Sequence, residues 1–547
     1  MKDDMQTIPE FFHGKVVLIA GATGFLGQAL VAKILDALPD VKRIYLLIRS
    51  QTGTDGEKRT ATDRLENEVF TSSAFAKLKQ THGEQLEEWL REKVYAVEGD
   101  MAYERLGLSD TDYETLQREV QIFINSGGLV KFDPPIDASL QSNVFGSKYA
   151  VELAKSCNNA IFLHVSTAYV RGVQPGKVPE ELHPPYEIYA EQYQAEKGEV
   201  IPSTLDAEIE DIQRLSEQIR NEANQPDKLD QFRREVIRDL GTDTGEKLNS
   251  QIDIAREKWI EQRLIDEGLK RAHARGWNDT YTYMKALGEQ MITKTRGDLP
   301  TAIIRQSIME SSLEDPEPGW LGGALRMADP LIVGFGKGRL PDFPGDPNSI
   351  LDIIPADFVI NAILAATVQT YYRQGIEVYH VASGARNPLT FGDIVNITHD
   401  YFTRQPLLDN GKPIPVPVWK FPDEQKFQKD LRQKLHLLDT ASRWLNRIPL
   451  RWARRKERRI AVKKNAIETL LHYVQIYGPY VRLSFEFEIG KTEALYDSLS
   501  PADQQQFNFD MSRIDWRRYF QEIHIPGIKR HFLKLGDDSG SQRISEP

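Results

Sequence analysis

The sequence predicts an α/β fold: a Rossmann-type doubly wound parallel sheet with a helical insertion, followed by a second, mainly α-helical C-terminal domain. Three observations predict it. From residue 14 to about 172, buried-strand runs alternate with helical stretches, an order that calls for right-handed crossovers and parallel pairing. A polar, charge-laced helical stretch at 174–275 interrupts that order. After about residue 425 the sheet signal vanishes.

The first strand, Val16–Ala20, leads directly into Gly21-Ala-Thr23-Gly24-Phe25-Leu26-Gly27. Gly21 permits a tight turn, Gly24 lets the backbone approach a pyrophosphate, and Gly27 lets the next helix pack on the sheet. The free N–H groups at that helix N-terminus then hold phosphate. The helix itself shows in Gln28–Leu35, apolar at helical spacing. Residues 21 and 23 to 27 are therefore placed at a dinucleotide. The second strand, Arg43–Ile48, is closed by Arg49 and Ser50. A cation there suits a ribose 2′-phosphate, so Arg49 favours NADPH; a solvated strand-end arginine is the plain alternative.

The third strand, Val94–Glu98, ends in Gly99-Asp100-Met101, where an adenine ring would lie and Asp100 could accept its amino hydrogen. A Gly-Asp turn explains the pair equally well. The fourth, Val120–Asn125, ends in Asn125-Ser126-Gly127-Gly128, small residues that allow close approach. Asn143 is read as opening a helix, as its N-cap or as a site residue. The fifth strand, Ile161–Ser166, ends in His164-Val-Ser166-Thr167-Ala-Tyr169.

Within 174–275 helices are predicted at Asp206–Glu222, Lys228–Asp239 and Lys247–Arg275. Ile209, Ile212, Leu215 and Ile219 recur at helical spacing, so the insertion packs on itself or caps the site. The α/β pattern returns at Asp298–Ile304 and Glu377–Ala382, separated by Pro/Gly-rich connections at Asp315–Gly323 and Phe335–Pro347. The expected domains are 1–425, binding the nucleotide, and 426–535, helical, with a disordered tail at 536–547.

The chain has 547 residues, enough for about two to four domains. With 40% apolar and 27% charged residues it reads as an ordinary globular protein, and a net charge of -11 argues against bulk nucleic-acid binding. Its one cysteine, Cys157, fits a reducing cytoplasm and reads as a packing thiol. No run approaches the roughly 18 apolar residues that span a bilayer, and the N-terminus lacks a signal peptide. Any membrane contact is therefore expected to be peripheral. The candidate is the basic run 443–464, with Arg447, Arg451, Arg454, Arg455, Lys456, Arg458, Arg459, Lys463 and Lys464. Trp444, Leu445, Ile448, Leu450 and Trp452 are interleaved with its start. An anionic membrane or a phosphorylated ligand would suit it; so would a plain solvated helix.

The chemistry-bearing pair is Tyr281 and Lys285 in Asp279-Thr-Tyr281-Thr-Tyr283-Met-Lys285. A spacing of four puts phenol and ammonium on one helix face. The ammonium is expected to lower the phenol pKa and make Tyr281 a proton donor, while Lys285 can also hold the nicotinamide ribose. Tyr283 has no lysine at that spacing. Thr167 or Ser166, at the end of the fifth strand, would hydrogen-bond a substrate carbonyl oxygen as hydride arrives.

These stretches, with Leu46-Leu-Ile-Arg49, Arg305-Gln306-Ser-Ile-Met-Glu310-Ser, Pro316-Glu-Pro-Gly-Trp320 and Asp352-Ile-Ile-Pro355-Ala-Asp357, resemble fatty acyl-CoA reductases of the extended short-chain reductase type. The C-terminal Ile514-Asp-Trp516-Arg-Arg-Tyr-Phe and Ile523-His-Ile-Pro-Gly527 resemble that family's helical domain. The resemblance covers nearly the whole chain and is closest to bacterial alcohol-forming members. It implies NADPH-dependent reduction of long-chain acyl-CoA to a primary alcohol through an aldehyde. It also implies catalytic roles for Thr167 (or Ser166), Tyr281 and Lys285, and an NADPH site at Gly21, Gly24, Gly27 and Arg49. The alternatives are a thioester reductase stopping at aldehyde, or another extended reductase or epimerase. Gln306 stands where the family typically has proline, and the stretch from Tyr169 to Tyr281 is longer than the family pattern.

Overall fold

The computed structural model describes residues 6–53, 56–240, 246–340, 342–445 and 451–535. Its centre is a seven-stranded, all-parallel sheet. The strands are β1 (Val16–Ala20), β2 (Arg43–Ile48), β3 (Val94–Glu98), β4 (Ile122–Asn125), β5 (Ile161–Thr167), β7 (Thr301–Gln306) and β10 (Ile376–Val381). Short strands outside this sheet include β6 (Gly176–Val178), β8 (Ile308–Glu310) and β9 (Ile353–Pro355). The sheet order is β3-β2-β1-β4-β5-β7-β10. Winding reverses between β1 and β4, and in such sheets the binding crevice opens there, outside the carboxyl ends of the strands. β1, β4 and β5 are buried along their whole length, because helices cover both faces of a parallel sheet.

Five of the expected strands match closely. β4 begins two residues late, because Val120 ends the helix Asp110–Glu119. β7 begins three residues late, because the chain is still turning at Gly297 and Asp298.

α1 (Phe25–Ala37) follows β1. Asn143 does not open a helix. It lies inside a continuous helical run made of Ile136–Ser139, a π-helical Leu140–Phe145, and α2 (Gly146–Ser156). Its side chain instead holds the loop before it, accepting from the Leu129 amide (2.8 Å) and donating to the Leu129 carbonyl (3.1 Å). Cys157, just after α2, is buried, and its thiol donates to the Leu116 carbonyl. Burial pushes that thiol up to about 12, so it is an inert packing group.

The insertion contains α3 (Leu205–Ala223), α4 (Pro226–Leu240) and α5 (Glu246–Ala274), within a residue of prediction at most ends. Ile209, Ile212, Ile219 and Leu264 pack against Ile136 and Leu140 and against Tyr283 and Leu287 of α6 (Thr280–Thr295). The insertion thus braces the outer side of the Tyr281–Lys285 helix. Glu208, fully buried, pairs with Arg271 (2.7 Å) and Arg275 (2.8 Å) and accepts the Tyr283 hydroxyl.

α7 (Asp329–Gly336), α8 (Ala356–Arg373) and α9 (Phe391–Arg404) complete the layers around the sheet. In the loop before α7, the amides of Leu313, Glu314 and Asp315 all donate to Asp357 of α8.

Beyond residue 425 two long helices, α10 (Glu424–Leu445) and α11 (Arg451–Tyr477), pack together and carry the basic run. Arg454, Arg455, Lys456, Arg458, Arg459 and Lys463 are exposed. Arg447, Ile448 and Leu450, the side chains of Arg451 and Trp452, and the tail 536–547 lie outside the described residues. Among the described residues no helix is long and apolar enough to cross a membrane.

The expectation that strands end before 425 needs correction. β11 (Phe485–Phe487) pairs in parallel with β6. Only three residues long and completed by a partner about 300 residues away, it has no local signature. One hydrophobic cluster takes in α1, α8, α9 and C-terminal residues such as Phe487, Tyr519 and Ile528, so the C-terminal region is seated against the sheet.

Candidate active site

A cleft of about 490 Å³ opens at the carboxyl ends of β1, β4 and β5. Its floor is the glycine turn. Gly21 has φ +85°, and a Cβ there would lie 2.6 Å from the Ser126 carbonyl oxygen at the end of β4. A Cβ on Gly27 would lie 2.2 Å from the Gly21 carbonyl oxygen, so α1 packs over the turn only without a side chain. Gly24 differs: the one protein atom near its Cβ position is the Gly21 oxygen at 3.2 Å, and it lines the cleft. Gly24 is also the N-cap of α1 and makes no side-chain cap. The first amides of α1 therefore point towards the cleft unsatisfied, in the arrangement that holds an anion.

The opposite wall is α6. Its N-cap, Asp279, accepts from the Thr282 amide (2.7 Å) and from the Tyr480 hydroxyl (2.6 Å), which ties the start of the helix to the C-terminal region. Tyr281 and Lys285 both line the cleft, four residues apart on one face. Tyr283 points away, to Glu208 of the insertion. Lys285 Nζ donates to the Val165 carbonyl (2.7 Å) and lies 3.4 Å from His164 Nε2; His164 Nδ1 in turn lies 3.2 Å from Asn125 Nδ2. The ends of β4 and β5 thus set the lysine in place. One turn further along α6, Glu289 accepts from Ser166 Oγ and pairs with Arg305 of β7 at 2.7 Å; both Glu289 and Arg305 are buried.

Burial dominates the electrostatics. The Tyr281 phenol has its pKa pushed up, by loss of solvent and then by the Asp279 carboxylate. The expected lowering by the ammonium is not seen: loss of solvent and the Asp279 carboxylate both act upward, and Lys285 does not figure among the influences on the phenol. Lys285 is pushed down to about 8 by burial, against the opposing pull of Glu289. His164 lies well below the ordinary histidine range, through burial and the neighbouring ammonium, and is neutral.

Of the residues singled out from sequence, Gly21, Thr23, Gly24, Phe25, Leu26, Gly27, Ser166, Tyr281 and Lys285 line this one cleft. Asn143 lines it too, whereas Thr167, Arg49, Asp100 and Met101 do not. Thr167 Oγ1 faces the Gln306 carbonyl at 3.5 Å, one residue behind Ser166. Arg49 is exposed at the end of β2, and its carbonyl accepts from Arg64 at 2.9 Å. Asp100 accepts from the Ala102 amide at 2.9 Å within its turn. Met101 is buried close to Gly127 and Gly146.

Three features escaped sequence reasoning. Arg326 lines the cleft with its guanidinium 3.8 Å from the centre of the Phe25 ring, which stacks on Trp320 from behind. Its Nε is buried without a protein partner. Phe132 and Tyr477 form the wall beside Tyr281, with ring centres 6.3 Å (Phe132–Tyr281) and 6.0 Å (Phe132–Tyr477) apart. None of these has a local signature. Glu289 does: it follows Lys285 by four residues and so shares its helix face.

The glycine turn, the Tyr-x-x-x-Lys helix and the end of β5 meet at one cleft, and comparison with known proteins shows the family. Residues 19–363 match the NAD-binding family model described as male sterility protein, and 445–535 match a second model of that description. The chain is 33% identical to fatty acyl-CoA reductase 2, chloroplastic, of Arabidopsis thaliana, over 98% of its own length and 80% of that protein. It is 34% identical to the alcohol-forming fatty acyl-CoA reductase of Simmondsia chinensis (97% and 100% covered). Against the human fatty acyl-CoA reductase 2 the figure is 26% (99% and 89%). In fold it is similar to the terminal R domain of the myxalamid PKS-NRPS pathway, with a TM-score of 0.53 at 15% identity, covering 95% of this chain and 91% of that one. The reductase domain of a nonribosomal peptide synthetase from Mycobacterium tuberculosis is comparably similar (TM-score 0.52, 16% identity, 96% and 94% covered). The chain is an oxidoreductase with a Rossmann NAD(P)-binding fold and belongs to the fatty acyl-CoA reductase family.

Proposed function

We propose that this protein reduces a long-chain fatty acyl-CoA to the fatty alcohol with NADPH, through an aldehyde and with release of CoA, as in the bacterial alcohol-forming branch. The observation that carries the reading is the convergence of the glycine turn, Tyr281 and Lys285 on one cleft. The residues present fit a dinucleotide: α1 offers free amides, Gly24 leaves room for a pyrophosphate, and Arg326 Nε has no protein partner. When bound, NADPH supplies the hydride.

The chain's own residues supply the rest. Tyr281 donates its proton to the oxygen on which charge develops, first at the thioester carbonyl and then at the aldehyde. A phenol kept protonated by burial is suited to that task. Lys285, fixed by Val165 and His164, sits one helical turn from Tyr281 to hold the nicotinamide ribose and to stabilise the phenolate left behind. Thr167 or Ser166 supplies the strand-end hydroxyl for the same oxygen: the Thr167 hydroxyl is held only by a long bond to the Gln306 carbonyl, whereas Ser166 would first have to leave Glu289. Arg49 supports NADPH over NADH, and Asp100 with Met101 borders the adenine end. Residues 1–425 serve as the nucleotide-binding unit and 426–535 as the unit completing the wall beside Tyr281. The exposed basic face of α11 is the surface suited to peripheral contact with an anionic membrane.

Incubation with palmitoyl-CoA and NADPH tests the reading. Two NADPH oxidised per CoA released, with hexadecanol recovered, is the expected result; a ratio of one means that aldehyde is the product. Tyr281→Phe should lower kcat by about 10²–10⁴. Absence of acyl-CoA-dependent oxidation, or a Tyr281→Phe variant equal to wild type, overturns it.

A further inference from the structure

Beside the cleft lies a second cavity, walled by α7, α9 and the segment that follows α11. Among the described residues that line it none is charged. Met327 and Tyr477 line both cavities, so the two adjoin at that seam. Through Phe132 the seam is two ring contacts from Tyr281. On β8 the division is sharp: Met309 faces the cleft and Ile308 the second cavity, as alternate residues of a strand must. The far end is closed by Phe335, Phe391 and Trp419, with Val395 of α9 on one side.

We propose that this apolar cavity is the seat of the substrate's acyl chain, entered between Met327 and Tyr477, with Val395 and Trp419 setting the length of chain accepted. The assignment rests on the acyl-thioester reading above. A dry, uncharged cavity takes up hydrocarbon, whereas the polar CoA moiety would stay in the open cleft. The free volume is about 50 Å³, a third of the ~150 Å³ cavity that suffices for benzene, so this is the closed form of the seat. Met327, unbranched and adaptable, stands at the mouth where widening must begin. Well-packed interiors hold few such voids, and this one adjoins the reacting centre.

The seat is tested by equilibrium binding of two thioethers that cannot be reduced, S-hexadecyl-CoA and S-decyl-CoA. Each methylene moved from water into an apolar seat is worth about four-fold (about 0.8 kcal/mol) in affinity. Wild type should therefore prefer the longer chain by well over ten-fold. Val395→Phe, which fills the seat, should reduce that preference at least ten-fold while leaving the S-decyl-CoA Kd within about two-fold. Val395→Leu should move it the same way by less and raise Tm, and it serves as the test if the larger substitution does not fold. Trp419→Ala should extend the preference to S-eicosyl-CoA. A wild type without chain-length preference, or folded Val395 variants with the wild-type ratio, overturns the assignment. Turnover of palmitoyl-CoA is measured separately: its absence refutes the reductase reading, while the binding ratio still decides the seat.

Discussion

Lys285→Met removes a buried ammonium whose proton affinity differs between the folded and unfolded chain. Burial lowers its pKa from 10.5 to about 8, which at about 1.4 kcal/mol per unit is a difference on the order of 3 kcal/mol. Below pH 8 both states carry the proton, and the folded protein bears the full penalty. Between pH 8 and 10.5 the folded chain releases the proton while the unfolded chain keeps it, so the unfolded state binds more protons and stability rises with pH. Between pH 7.5 and pH 10, wild type should gain roughly 2 kcal/mol on the methionine variant. Urea unfolding of both proteins at the two pH values measures this, and the difference between them cancels groups that titrate identically in each. Parallel behaviour within about 0.5 kcal/mol would refute the burial argument. The same ionisation should appear in catalysis: if the ammonium stabilises the Tyr281 phenolate, kcat/KM of the free enzyme falls as pH rises through about 8.

The remaining predictions concern the glycine turn and the insertion. Gly24→Ala should cost the ligand-free protein no more than about 1 kcal/mol, since its Cβ meets a single protein atom, the Gly21 oxygen at 3.2 Å, which need give by only a few tenths of an ångström. It should nonetheless weaken NADPH binding at least ten-fold by fluorescence titration; an unchanged Kd would show that no pyrophosphate approaches there. Gly27→Ala, with its Cβ 2.2 Å from the Gly21 oxygen, should lower Tm even without cofactor, and an unchanged Tm would contradict the helix-packing role. Glu208→Gln leaves Arg275 buried without a carboxylate and Arg271 with Asp211 alone, and should cost about 3 kcal/mol in thermal or urea unfolding, although Glu208 does not line the cleft. A variant as stable as wild type would show that the insertion does not brace α6 through this cluster.

What the sequence determined by itself was everything encoded over short spans. Apolar runs located the strands of the sheet, helical periodicity located α3, α4 and α5, and glycine spacing assigned a separate task to each residue of the turn. The four-residue interval of Tyr281 and Lys285 put both on one helix face, and both do line the cleft. Asn143 misled, because a residue good at capping also serves inside a helix when its side chain can hold a neighbouring loop.

The tertiary structure alone decided what depends on distant segments meeting. Arg326 reaches the glycine turn from a connection without periodicity, and Tyr477 and Tyr480 arrive beside the Tyr281–Lys285 helix from about 200 residues downstream. The direction of the Tyr281 pKa shift belongs here too. Spacing reports that a cation is near, but burial decides which protonation state is favoured, and burial is a property of the whole packed chain. The glycine turn and the Tyr–Lys pair were local and therefore legible. The cavity beside them is built from elements between residues 308 and 481, and only folding brings its walls together.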